Sequence, residues 1–249
     1  MLSLLFAAAL QTVSGPALSG DARYHACIEA ATADPAEGEM NARRWKAAGG
    51  GLDAQQCLGV ALANQTRWIG AADAFEEAAR EAMLADDEQA ARFWVQAGNA
   101  WLAAGDAAAA QRAFGAALDT GTLTGLARGE AHLDRARALV AAGDLAAARI
   151  DIDAALEDAG DDPLAWLLSA TLARRMNDWP RARKDIAEAL ARAPDDASVQ
   201  LEAGNIAAAG GDEEAAKAAW DQALRLAPES PAGRAAGEAL QQFSPQPMR

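Results

Sequence analysis

Basic residues, histidine, cysteine and large rings are all scarce in this chain. Its 22 Lys and Arg stand against 36 Asp and Glu, giving a formal net charge of −14. Such a balance repels a phosphate backbone, because nucleic-acid affinity comes from cationic side chains that displace counterions. Nucleic acid is therefore not an expected partner. Only two histidines occur, His25 and His132, and neither lies in a metal-ligand pattern. Gly49-Gly50-Gly51 lacks both the preceding strand and the following lysine of a phosphate-binding loop. No metal or cofactor is expected from these residues. The apolar run Leu2–Leu10 falls short of the ~20 residues that cross a bilayer, so no stable membrane span is expected from it. Aromatic residues make up 5% of the chain, so a core has to be assembled mainly from small side chains fitted closely together.

What fills the space is alanine. Hydrophobic residues account for 51% of the chain and most of them are alanine, the strongest helix former. Helix is the expected state throughout. The uncharged start, with small residues at Ala17-Leu18-Ser19, has the form of a secretory leader over residues 1–19, cleaved after Ser19. An exported chain would be periplasmic or secreted; the alternative is a cytoplasmic protein with an apolar N-terminus. After cleavage two cysteines remain, Cys27 and Cys57. In an oxidising compartment they form a disulfide, whereas in the cytosol each is a small buried hydrophobe.

The chain repeats itself. WLAAGDAAAAQRAFGAAL (Trp101–Leu118) returns as LVAAGDLAAARIDIDAAL (Leu139–Leu156), as ARRMNDWPRARKDIAEAL from Ala173 and as AAAGGDEEAAKAAWDQAL from Ala207. Aligned on their turns, Ala110, Ala148, Ala182 and Ala216 are followed four residues later by Phe114, Ile152, Ile186 and Trp220. Three further on stand Ala117, Ala155, Ala189 and Ala223. The spacing i, i+4, i+7 is one face of a helix. The interval between units is 34 residues twice and 38 once, which places a four-residue insertion between the first two quoted units. A second helix precedes each turn and carries its own small notch at Gly98, Ala136, Ala170 and Gly204, where two helix axes approach closely. One turn before the notch stand Trp94, His132, Trp166 and Gln200, so His132 is expected as an interhelix packing residue. Gly105, Gly143 and Gly211, with Asn177 as the substitute, suit a left-handed helix end, and Asp106, Asp144, Asp178 and Asp212 suit the next helix start. Pro194 and Pro228 mark where second helices stop.

This pattern closely resembles the tetratricopeptide repeat, whose signature runs W-x2-L-G-x2-Y, then A-x3-F, then P. Trp94, Gly98, Trp101, Ala110 and Phe114 give the best single match. An earlier unit fits through Leu58-Gly59, Leu62, Ala71, Phe75 and Ala78, with Thr66-Arg67 in place of Gly-Asp. The resemblance covers Leu52 to Pro228 and implies an all-α, right-handed α-solenoid of about five helix-turn-helix repeats. Residues 20–51 are expected as a degenerate N-terminal helical hairpin, with Trp45 packed on the first clear repeat, and 52–230 as the array. Ser230-Pro231 starts a capping helix, and the tail from Ser244 is expected to be disordered, within a last segment of 231–249.

The resemblance further implies a concave groove lined by the first helix of each unit. The residue after each notch points into it: Val60, Asn99, Arg137, Thr171 and Asn205. Asparagine in this place is what the family uses to bond a peptide backbone or terminal carboxylate, which singles out Asn99 and Asn205; Arg174 adds positive charge one turn on. Lysines of the family's chaperone-tail clamp are replaced by Val95, Leu133, Leu167 and Leu201, so an acidic chaperone tail is not the expected ligand. The expected function is a non-enzymatic scaffold that holds a peptide or protein segment. The alternative is an accessory or assembly factor of the bacterial envelope that works through its convex face or termini.

Overall fold

The computed structural model describes residues 20–243, and among these it contains thirteen α-helices and no strand. A leader over 1–19 and a disordered tail from Ser244 lie outside the described residues. The helices are α1 (Gly20–Ala33), α2 (Pro35–Ala47), α3 (Gly51–Asn64), α4 (Trp68–Leu84), α5 (Ala90–Ala103), α6 (Ala107–Asp119), α7 (Gly125–Ala142), α8 (Leu145–Asp158), α9 (Pro163–Arg175), α10 (Trp179–Arg192), α11 (Ala197–Ala209), α12 (Glu213–Leu226) and α13 (Pro231–Gln242). Each helix packs on the next, and the first helices also touch one another, α5 on α7 and α9 on α11. The result is a solenoid of five helix pairs, α3–α4 to α11–α12, preceded by the α1–α2 hairpin and followed by α13.

One turn design joins the two helices of every pair. Gly105, Gly143 and Gly211 have φ of 81°, 86° and 82°, and Asn177 takes 60°. At each, the residue after it donates its N–H five residues back, as Asp106 does to Trp101 (3.0 Å) and Asp178 to Ala173 (2.9 Å), which satisfies carbonyls the ending helix leaves open. The aspartates then cap the following helix: Asp106, Asp144, Asp178 and Asp212 accept the N–H groups of Ala109, Ala147, Arg181 and Ala215. Thr66 adopts the same left-handed backbone at φ 57°, but Arg67 makes no side-chain cap.

Packing inside each pair rests on a small residue in the first helix facing a large one sixteen positions on. A Cβ added to Gly59, Gly98 or Gly204 would lie 2.4, 2.6 and 2.4 Å from the rings of Phe75, Phe114 and Trp220. Where the first helix carries alanine instead, at Ala136 and Ala170, the facing residue is the smaller Ile152 or Ile186, and all four are buried. Total volume across the seam is thus kept nearly constant, as close packing demands. The four-residue insertion lengthens α7, which has 18 residues where the other first helices of the array have 13 or 14.

Both ends are covered. At the start, Cys27 of α1 and Cys57 of α3 are joined by a disulfide with Cα atoms 6.1 Å apart, and Trp45 lies with them in one core cluster. At the finish, the Ser230 hydroxyl accepts the Gly233 N–H at 3.0 Å to start α13, whose Ala236, Ala239 and Leu240 pack on the Trp220 cluster. The Phe243 ring sits 5.1 Å from that of Trp220.

Candidate functional site

The residues that follow the notches meet different fates. Asn99 is exposed and donates to Asp134 at 3.2 Å, and Arg137, one helix pair on, pairs with the same carboxylate at 2.9 Å. Thr171 is half-buried between α7 and α9. Asn205 is engaged within its own pair, accepting from the Trp220 indole at 3.1 Å and donating to Glu202 at 3.2 Å. Arg174 is held by Glu202 through two hydrogen bonds of 2.6 and 3.1 Å, which tie α9 to α11. The structure therefore brings Arg137 and Thr171 together, leaves Asn99 on the same surface, and places Arg174 and Asn205 around the buried Glu202.

Between α7 and α9 opens a cavity of about 130 Å³. Its floor is apolar, made of Leu133, Val140, Ile152, Leu168 and Leu172, and its polar rim is Arg137, Thr171 and Arg175. Ile152 is the large member of a notch pair, so the floor is continuous with the repeat core. Drug-sized ligands occupy ~300 Å³ or more; this cavity suits one aliphatic side chain. Among the described residues the exposed Arg137 is tied only to the half-buried Asp134, and the exposed Arg175 guanidinium has no partner. Two guanidiniums beside an apolar socket favour a carboxylate or carbonyl next to an aliphatic group.

Behind this surface lies a polar network that the repeat pattern does not announce. Asp151, with 2% of its surface exposed, accepts from Arg135 at 2.7 and 2.5 Å and meets the His132 Nδ1 at 2.9 Å. Burial pushes the Asp151 carboxyl up, but the Arg135 and then the His132 hydrogen bonds outweigh it and hold the group below the ordinary aspartate range. The same side-chain bond, against burial, raises the Arg135 guanidinium. In the next pair, buried Asp185 accepts from the Ser169 hydroxyl and from Arg181, and Arg181 also reaches Asp153 at 2.5 Å. Arg149 donates to Ser169 and pairs with Asp153, linking α8 to α9; its guanidinium is lowered, first by burial and next by the nearby Arg181. The available signal is that Asp151 and Asp185 stand immediately before the buried isoleucines, where the other pairs have Ala74, Ala113 and Ala219. A charge at that register faces the neighbouring helix. His132 is, as expected, an interhelix residue.

The family model described as tetratricopeptide repeat matches residues 95–163 and 167–231, more than half of the chain. The chain belongs to the tetratricopeptide repeat family. None of the curated proteins matches it in sequence. Among solved structures it is similar to YrrB, described as a TPR protein with an unusual peptide-binding site, at 19% identity and TM-score 0.57, covering 76% of this chain and 91% of that one. It is also similar to pilF of Pseudomonas aeruginosa, at 17% identity and TM-score 0.66 over 88% and 99%. PilW, a type IV pilus biogenesis factor, aligns at 17% identity and TM-score 0.69 over 86% and 96%. At these identities the likeness shows the tetratricopeptide fold and no more, since one repeat backbone serves many ligands. Among the described residues no group of three or more His, Cys, Asp or Glu is placed to hold a metal ion, and no helix is long and apolar enough to cross a membrane.

Proposed function

We propose that this tetratricopeptide protein is an exported, non-enzymatic scaffold that binds a protein segment along its row of first helices. The observation that carries the reading is the α7–α9 cavity, where an aliphatic floor meets Arg137 and Arg175. A segment presenting an aliphatic side chain beside a carboxylate or a free carbonyl fills both features at once. Thr171 and Asn99 add hydrogen bonds to its backbone. Peptide binding is named for YrrB, which shares the fold, and tetratricopeptide repeats in general act as interaction scaffolds without catalysis. Export is supported by the uncharged run Leu2–Leu10 and by a disulfide that persists only in oxidising surroundings.

Site-specific photocrosslinking in the producing cell tests the groove. A crosslinker at Thr171 is expected to trap a partner, while one at Ile150, 72% exposed on α8, is expected to trap none; Arg137→Glu/Arg175→Glu should abolish the Thr171 adduct. Equal trapping at both positions, or an adduct indifferent to the charge reversal, removes the groove reading in favour of the convex face. Intact mass of the protein from cells tests export separately. A chain that keeps residues 1–19 and has two alkylatable thiols without reduction contradicts it.

A further inference from the structure

A second cavity, of about 230 Å³, lies between α1 and α2, outside the array and remote in sequence from the α7–α9 pocket. Its walls are Arg23, Ala26 and Cys27 from α1 and Asn41, Arg44 and Trp45 from α2. The i, i+3, i+4 spacing on each helix makes it a cleft between two facing helix strips. The Arg23 guanidinium lies over the Trp45 ring, 5.2 Å from its centroid, and so is kept against the cleft wall.

Of the three cations on α2, two are paired with carboxylates among the described residues and Arg44 is not. Arg43 is bound to Glu39 at 2.8 Å and Lys46 to Glu77 at 2.7 Å. Arg44 and Arg23 have no carboxylate partner among the described residues, and the Asn41 amide has no hydrogen bond there. This happens in a chain whose acids outnumber its bases 36 to 22. Two unneutralised guanidiniums facing one cleft in so acidic a molecule leave a place for an anion from outside. Guanidinium forks match the planar carboxylate. Asn41 offers both a donor and an acceptor, which a peptide amide satisfies together and a fully ionised phosphate ester, with no hydrogen to give, does not. Trp45 and Ala26 supply the apolar wall for the methylenes of an acidic side chain.

We propose that the α1–α2 cleft is a binding site for an acidic peptide segment, separate from the concave groove, with Arg23 and Arg44 taking its carboxylates and Asn41 its backbone. The proposal does not rest on the groove reading. Fluorescence anisotropy of a fluorescein-labelled hexaglutamate peptide, titrated with the full chain at low ionic strength, tests it. Arg23→Ala/Arg44→Ala is expected to weaken binding at least tenfold. Arg112→Ala/Lys184→Ala removes the same charge from two exposed cations elsewhere and is expected to change it less than twofold. Helical circular dichroism should be the same for all three proteins, as all four substituted residues are exposed. Equal losses in the two variants mean that only general attraction is being measured and overturn the proposal. So does the absence of peptide binding by the unsubstituted chain, or saturable binding of inorganic phosphate in this cleft without binding of the peptide.

Discussion

Single residues decide how closely the helices of a pair approach. Gly98 has Phe114 so near that an added methyl group would lie 2.6 Å from the ring. Gly98→Ala is expected to lower stability by about 1–3 kcal/mol, since overpacking outweighs the helix propensity of alanine. Urea unfolding checks this. The double variant Gly98→Ala/Phe114→Ile copies the natural Ala136 and Ile152 pairing and should recover much of the loss; a double variant no better than the single one would mean that the seam does not trade volume in this way. This layer was legible in the sequence, because each notch and each large residue recurs at a fixed offset from its turn. The groove residues were legible only in part. Spacing places Asn205 and Arg174 on the right faces, but it does not show that Glu202, buried two residues before the Gly204 notch, holds both of them.

Individual helix pairs differ in what lies beneath their common frame. In α7–α8 the buried carboxylate of Asp151 is matched to Arg135 and His132, so removing it strands a half-buried guanidinium. Asp151→Asn is expected to cost about 3–5 kcal/mol near neutral pH, the usual penalty for breaking a buried ion pair. The pH dependence has a definite sign. Because the Asp151 carboxyl is held low in the folded chain, its contribution is complete above the unfolded aspartate value near ~4 and is lost as pH falls through the lower folded value. The stability gap between the parent protein and Asp151→Asn should therefore narrow as pH drops below ~4; a gap that stays constant on acidification would show that the pair is not the source. Sequence patterns do not reveal such pairs readily, since an aspartate one step from a buried isoleucine looks like any other helical acid until the neighbouring helix is in place. The turns, by contrast, are local, and Gly-Asp or Asn-Asp marks four of the five in the sequence, with Thr66-Arg67 taking the same backbone in the other.

The whole molecule is a line of neighbours, in which each pair gains its stability from the pairs beside it. Its first and last helices are secured by different means. The Cys27–Cys57 bridge encloses 30 residues of sequence separation, and opening it is expected to lower stability by about 3–4 kcal/mol on the loop-entropy estimate. Thermal unfolding of Cys27→Ser/Cys57→Ser checks this, and an unchanged midpoint would show that noncovalent packing alone secures the hairpin. The far end, with no further cysteine in the chain, is held by the packing of α13 on Trp220 and its neighbours. A chain of this kind comes apart from its tips inward, and here one tip is welded while the other is merely seated. Unravelling under heat or denaturant therefore has a built-in direction, from the carboxyl terminus toward the amino terminus, for as long as the surroundings keep that weld intact.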